Sequence, residues 1–217
     1  MKRIMRVLVS LGLLMILGVA CQSTNTPIAS VTPESSINWW TSWLAQPVCK
    51  PPCWANITPG ETSLKDALSI LEKIPEITIT FKSQDGIDWQ FKQPEDGAGT
   101  LSAKNGVISF IRVGVSPEKQ LNLKEVVTTY GYPDYVKPYD CREGMCSTIL
   151  IYPESGLFLG VFIRDTGTVD APEIEILPET IVKSAYFFQP GLENFQKLIA
   201  FQDNNLPMEW KGYGEYP

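Results

Sequence analysis

The cysteines are the residues whose type and spacing most directly suggest chemistry. The chain has five, and four of them form two close pairs, Cys49 with Cys53 and Cys141 with Cys146. Cysteines in an exported protein form persistent disulfides, and four cysteines allow three connectivities. We predict the two local disulfides, 49–53 and 141–146, and neither a metal nor a cofactor. A four-cysteine zinc site and a redox-active pair at Cys49 and Cys53 are the alternatives.

Histidine is absent from all 217 residues. The chain therefore lacks the commonest general base and the commonest metal ligand. Its net charge is −6, and no cluster of lysine and arginine is present to bind phosphates. The composition favours a non-enzymatic protein without a nucleic-acid partner. An enzyme that uses carboxylates, for example on glycan or cell-wall polymer, is the alternative.

Two groups of carboxylates are spaced closely enough to be considered for calcium. Asp85 and Asp88 flank one predicted turn, and Asp165 and Asp170 flank another. Neither group has the ordered spacing of a known calcium loop, so we expect solvated turn residues. The sequence also contains no glycine-rich phosphate loop, serine nucleophile motif or HExxH element.

Aromatic residues are the stronger candidates for binding, since the chain has six Trp, eight Tyr and nine Phe. Several of them lie in segments that look exposed, and exposed aromatic side chains often mark binding surfaces. The alternative for each segment is that it packs on the core. The candidate binding residues are Trp39, Trp40 and Trp43 in a short predicted helix (36–45), and Trp210 and Tyr213 in the C-terminal tail.

Helices and strands alternate along the rest of the chain. Ser63 and Asp66 predict a capped helix over 62–73, and a second capped helix is predicted over 122–130. Asn105-Gly106 predicts a two-residue hairpin turn. Strands are predicted at 77–82, 87–92, 99–103, 107–113, 135–139, 147–152, 157–163 and 181–189. A helix is predicted at 191–201 and a loop at 165–179.

The two helices share a sequence pattern 59 residues apart, since SLKDAL begins at Ser63 and NLKEVV begins at Asn122. Each pattern is followed by predicted strands, which indicates a duplicated unit of a helix and an antiparallel meander. The predicted fold class is α+β, with two such units (about 55–113 and 120–163) and short extra N- and C-terminal helices. We expect a single domain over 37–217.

The N-terminal segment has the pattern of an export signal. Basic residues lie within 1–6, residues 7–20 are uncharged and mostly apolar, and the segment ends in LGVAC at Cys21. This ending resembles the bacterial lipobox, with Gly18 where Leu is usual. The resemblance implies a signal peptide (1–20), diacylglyceryl modification of Cys21, and lipid anchoring to a cell membrane or outer membrane, facing outside the cytoplasm. Residues 21–36 are rich in Ser, Thr and Pro and predict a flexible tether.

Two further motifs resemble a known lipoprotein class. ITPGET at Ile57 leads into the first helix, and YGYPD at Tyr130 follows the second. They are similar to the signature of small outer-membrane assembly lipoproteins (the BamE, SmpA/OmlA class), which share an α+β architecture with β-lactamase-inhibitor-like proteins. The first copy departs from the signature, because Lys73-Ile74-Pro75 stands in place of Gly-x-Pro. The expected function is binding or scaffolding in the cell envelope, with a protein or glycan partner. Inhibition of a protein is a further alternative.

Overall fold

The computed structural model of the chain describes residues 49–93, 97–114, 121–167, 173–199 and 206–217. These residues belong to one compact unit, Ile37–Pro217. The predicted signal peptide, Cys21, the tether and the segment with Trp39, Trp40 and Trp43 lie outside the described residues. Within the described part, no helix has the length and apolar character needed to cross a membrane.

Three helices and twelve strands make up the described structure. The helices are α1 (Leu64–Leu71), α2 (Leu123–Tyr130) and α3 (Leu192–Ile199). The strands are β1 (Ile77–Lys82), β2 (Gly86–Phe91), β3 (Ala98–Lys104), β4 (Val107–Gly114), β5 (Leu121–Asn122), β6 (Tyr135–Arg142), β7 (Met145–Tyr152), β8 (Leu157–Arg164), β9 (Ile174–Ile176), β10 (Ile181–Phe188), β11 (Met208–Glu209) and β12 (Gly214–Tyr216). This mixture of helices and antiparallel strands confirms the predicted α+β class.

One antiparallel sheet dominates the structure, with strand order β1-β2-β3-β4-β10-β8-β7-β6-β11. Helix α1 precedes the meander β1 to β4, and α2 precedes β6, β7, β8 and β10. The last strands of the two series, β4 and β10, pair at the centre of the sheet. The second series therefore reaches Phe188, whereas the second predicted unit ended at residue 163.

Local sequence signals account for the start of α1 and for the hairpin between β3 and β4. The Ser63 hydroxyl accepts a hydrogen bond from the Asp66 backbone N–H at 3.1 Å, as its capping pattern predicts. Asn105 and Gly106 have φ angles of 54° and 76° and form the predicted turn between β3 and β4. Positive φ at both central residues gives a turn whose twist matches that of the paired strands.

The sheet is buried unequally on its two faces. Leu157, Leu159 and Val161 alternate along β8 and belong to the main core, together with the buried residues of α1 and α2. Phe158 points to the opposite face, where Phe195 of α3 packs in a smaller cluster. The second face is therefore covered by α3 over only part of its area.

The C-terminal third differs from expectation in one element. Residues 165–179 were predicted to be a loop, but they contain β9, which pairs with β12 of the tail in a separate two-stranded sheet. Ile174 and Ile176 are buried in this strand, and a three-residue strand with an acidic residue between them gives too short a pattern to detect. The predicted helix over 191–201 is described as Leu192–Ile199, and residues 200–205 lie outside the described part.

Candidate binding surface

Both local disulfides predicted from the sequence are present. Cys49 is bonded to Cys53, with the Cα atoms 5.5 Å apart, and Cys141 is bonded to Cys146, with the Cα atoms 4.0 Å apart. The second bond joins directly opposed residues of the β6–β7 hairpin. Asp165 lies close to it, and its Oδ1 accepts the backbone N–H groups of residues 167 and 173 at 3.0 Å each. The Asp165 carboxylate therefore stabilises the loop in which it lies. Asp170, considered with it for calcium, lies outside the described residues.

The C-terminal tail is fixed to the sheet at two points. Strand β11 pairs with β6 at the edge of the large sheet, and β12 pairs with β9. The Tyr216 ring is 2% exposed, and its hydroxyl donates to the Gly212 carbonyl at 2.6 Å while accepting from the Lys211 N–H at 2.8 Å. Burial raises the pKa of Tyr216, and these two hydrogen bonds lower it. The intervening tail residues are thereby held against the domain.

This attachment places three aromatic rings together in what we call the aromatic cluster: Tyr132, Trp210 and Tyr213. The Tyr132 and Trp210 rings are stacked, with centroids 6.1 Å apart. Tyr213 meets both rings edge-on, at 6.0 Å from Tyr132 and 5.6 Å from Trp210. Tyr132 is 59% exposed, whereas the other two are partly buried against the main core. The cluster therefore presents the exposed Tyr132 ring on two partly buried aromatic side chains.

The chain after α2 positions Tyr132 in this cluster. Gly131 ends the helix with a φ of 81°, a conformation that favours glycine, and turns the chain away from the helix axis. Asp134 then donates its N–H to the Ile151 carbonyl at 2.9 Å, and its own carbonyl accepts the Trp210 N–H at 2.9 Å. Two backbone hydrogen bonds thus connect the segment after α2 to the sheet and to the tail.

Acidic groups lie near the aromatic cluster. Burial, and then the charge of Glu154, raises the pKa of Asp134. Burial also raises the pKa of Tyr213, with further contributions from Tyr132 and Glu179. A surface of this kind offers aromatic faces for stacking and carboxylates that accept hydrogen bonds from hydroxyl groups.

Among the predicted binding residues, the structure brings Trp210 and Tyr213 into contact. It does not describe Trp39, Trp40 and Trp43. The sequence analysis did not select Tyr132 or Asp134 for binding, although both lie in the YGYPD motif. The available signal was the position of Tyr132 between Gly131 and Pro133 at the end of a helix. A side chain in this position lies outside the packing surface of the helix.

No protein-family model matches the sequence, and the curated proteins give no match. Among solved structures, the chain is similar to a cysteine-rich secretory protein from Staphylococcus aureus, with a TM-score of 0.34 and 10% identity. The alignment covers 72% of this chain and 55% of that protein, so the chain spans about half of its length. A likeness at this level carries no argument about function.

Proposed function

We propose that this protein is a lipid-anchored, non-enzymatic binding module of the cell envelope, and that the aromatic cluster contacts a glycan. The observation that carries the proposal is the stacked and exposed Tyr132, supported from below by Trp210 and Tyr213. Sugar rings have apolar faces that stack on aromatic side chains, and their hydroxyl groups donate to nearby carboxylates. The absence of histidine from the sequence supports binding over catalysis.

The anchoring part of the proposal rests on the segment that ends at Cys21. Cys21→Ser should leave the protein without lipid and move it from the membrane to the soluble fraction, because no thiol remains to be acylated. Membrane fractionation with labelled palmitate measures both effects. Retention of the unacylated variant in the membrane fraction would contradict lipid anchoring, while leaving the binding part of the proposal intact.

The binding part is tested by co-sedimentation of the purified full chain with isolated cell-wall glycan. Tyr132→Ala should lower the bound fraction several-fold, since loss of one stacking ring removes about 1 kcal/mol. Phe81→Ala is the matched control, because Phe81 is 57% exposed on β1 and contacts no residue of the cluster. Equal binding by both variants and the unmodified chain would overturn the assignment of the aromatic cluster. Crosslinking to an envelope protein instead would favour a protein partner.

A second candidate function is a carboxylate-dependent glycan hydrolase. The observation in its favour is the raised pKa of Asp134 beside the cluster, with Glu154 contributing to the shift. A carboxyl group that remains protonated at higher pH is suited to act as a general acid. Turnover of cell-wall glycan by the purified protein, lost in Asp134→Asn, would establish this function in place of the binding module.

We also propose that the two series, α1 with β1 to β4 and α2 with β6, β7, β8 and β10, are copies of one unit of the BamE and β-lactamase-inhibitor-like class. The shared helix pattern at Ser63 and Asn122 and the equal number of strands support this proposal. An experimental structure provides the test. Superposition of the two series with matching strand order and equivalent helix placement is expected, and helices of opposite placement would contradict duplication.

A further inference from the structure

The face of the sheet opposite the main core contains a groove that the proposed function does not use. It has a volume of about 490 Å³ and lies over β4, β10 and β8, with Tyr139 contributed by β6. This volume falls within the range of small-ligand sites, about 300–1,000 Å³. We call it the central groove. Trp210 and Tyr213 of the aromatic cluster, by contrast, pack against the main core.

Small residues form the floor of the central groove. Ser184 of β10 pairs with Gly114 on one side and with Gly160 on the other, so three small residues lie in a row across the sheet. A Cβ atom at Gly160 would collide with the Ser184 Oγ. The depth of the groove therefore depends on glycine at this position.

A ladder of side chains forms one wall. Arg112 and Phe158 are the direct neighbours of Tyr186 on the two adjacent strands. The guanidinium carbon of Arg112 lies 5.9 Å from the centre of the Tyr186 ring, which in turn stacks on Phe158 at 4.3 Å. At this distance the guanidinium cation is attracted to the face of the Tyr186 ring, which keeps the charge of Arg112 at the wall of the groove.

The other lining side chains come from irregular points in the strands. The register between β10 and β8 shifts next to Lys183, and the register between β6 and β7 shifts next to Tyr139. Such irregularities redirect a side chain and are over-represented beside functional sites. Phe162 completes the lining, and it is 54% exposed, while Tyr139 is 43% exposed. Aromatic faces and cations thus surround the small-residue floor.

The charge of the central groove is opposite to that of the whole chain. The chain has a net charge of −6, yet β4, β10 and β8 contain no Asp or Glu and contribute Arg112, Lys183 and Arg164. Strand β6 contains one carboxylate, Asp140, which is paired with Arg142 at 2.7 Å. Within the described residues, no salt bridge involves Arg112 or Lys183. Two cations, with no Asp or Glu among the described residues of the lining, fit an anionic ligand.

The position of the groove excludes one class of anionic ligand, an extended acidic peptide that adds to the sheet as a strand. Strands β4, β10 and β8 are paired on both sides, so an extended peptide cannot add to them through backbone hydrogen bonds. Recognition must therefore come from the lining side chains. Aromatic faces bind rings, and Arg112 and Lys183 bind carboxylate or phosphate groups.

We propose that the central groove binds an anionic saccharide, with a sugar ring on Tyr139 and Phe162 and a carboxylate or phosphate group on Arg112 and Lys183. This inference goes beyond the proposed function, because it assigns a second site on the opposite face of the sheet. It predicts that the central groove prefers an anionic ligand. The aromatic cluster, which has carboxylates nearby, should not share this preference.

Calorimetric titration of the purified full chain in detergent tests the inference. Tetragalacturonate carries the carboxylate and glucose 6-phosphate the phosphate, while maltotetraose is the neutral control. At least one of the two anionic saccharides should bind more tightly than maltotetraose, and its affinity should fall as salt is added. The preferred anion identifies which acidic group the groove recognises. Binding of neither anionic saccharide, or equal binding of hexaglutamate, would overturn the assignment.

Variants locate the site. Arg112→Gln and Lys183→Gln should each weaken binding about tenfold or more, since a charge-assisted contact is lost. Lys124→Gln, on the exposed side of α2 and away from the groove, is the matched control and should bind normally. Unchanged affinity in both groove variants would overturn the proposal.

Shape is tested with two further variants. Gly160→Ala fills the floor, and Phe162→Ala removes an exposed ring, so the second variant remains informative if the first does not fold. Either folded variant should weaken binding about tenfold, whereas Phe81→Ala, on the edge strand β1, should bind like the unmodified chain. Loss of binding in Tyr132→Ala alone would assign the saccharide to the aromatic cluster, which separates failure of this inference from failure of the proposed function.

Discussion

At the scale of single residues, the stacked pair Trp54 and Trp89 shows how closely the main core is packed. Their rings lie 5.0 Å apart and nearly parallel, and both are at most 1% exposed. Among the described residues neither indole N–H has a hydrogen-bond partner, so ring packing rather than polar contact holds the pair. Gly99 on β3 lies directly against the Trp89 ring, and no larger side chain fits there.

Gly99→Ala should destabilise the fold, because the added Cβ would collide with the Trp89 ring and with the Arg112 carbonyl oxygen. The expected loss in the free energy of unfolding is about 1–3 kcal/mol, as for other overpacked cores. Urea denaturation followed by tryptophan fluorescence measures it. The control is Gly114→Ala, whose Cβ would lie 3.3 Å from the Ala98 carbonyl oxygen, and its loss should be smaller. Equal losses would contradict this account of Gly99.

A second prediction at this scale concerns alkaline pH. Burial raises the pKa of Tyr130 from 10.0 to about 12, so the folded state holds this proton more tightly than the unfolded chain. The resulting stability is fully present below pH 10 and is lost as the pH rises through 12. The free energy of unfolding, measured by urea titration between pH 9 and pH 12, should fall less steeply in Tyr130→Phe. Identical slopes would show that Tyr130 ionises similarly in both states.

At the scale of elements, the β6–β7 hairpin combines a turn signal with a covalent bond. Glu143 and Gly144 have φ angles of 53° and 75°, which gives the same turn class as Asn105-Gly106. The bond between Cys141 and Cys146 closes the loop immediately beside this turn. The turn already fixes the strand register, so the disulfide adds stability mainly by restricting the unfolded chain.

Replacing Cys141 and Cys146 together by serine should lower the free energy of unfolding by about 2 kcal/mol, the value expected for so short a loop. The hairpin should keep its register, since the turn is unchanged. Denaturation of the variant and of the reduced parent protein measures the loss. Trypsin cleavage after Arg142, followed by mass spectrometry without reduction, should recover the peptides of Cys141 and Cys146 joined. Free thiols or peptides cross-linked to Cys49 would contradict the local pairing.

At the scale of the whole molecule, β10 is the strand that unites the described structure. It pairs with β4 of the first series and with β8 of the second. Its residues Val182, Ala185 and Phe187 are buried in the main core. Without the second series, β4 would lose its partner β10. Without the first series, β10 would lose its partner β4. The same continuity creates the central groove, whose lining comes from both series.

We therefore expect one cooperative unfolding transition for the two series. Hydrogen exchange measured by mass spectrometry across a urea titration should show β2–β3 and β7–β8 losing protection at the same midpoint. A first series that opens at lower urea, with the second still protected, would show instead that the β4–β10 contact is too weak to couple them.

Much of the fold could be predicted because its signals are local. Strand β1 spans the predicted residues 77–82, and the Asn105-Gly106 turn is in place, because alternation and positive-φ residues act within a few positions. Strand β9 was missed, since its three residues are stabilised by the distant tail. Of the candidate binding residues, Trp210 and Tyr213 could be named, but Tyr132 could not be joined to them without knowing where the tail lies.

The sequence by itself determined the α+β class, the capped helices and the two local disulfides, because each depends on residues close together in the chain. Only the tertiary structure decided which strands meet at the centre and which residues line each surface. The pairing of β4 with β10 brings Arg112 beside Tyr186, and the tail brings Trp210 beside Tyr132. Contacts over such separations depend on the whole arrangement of the sheet, which no local pattern encodes.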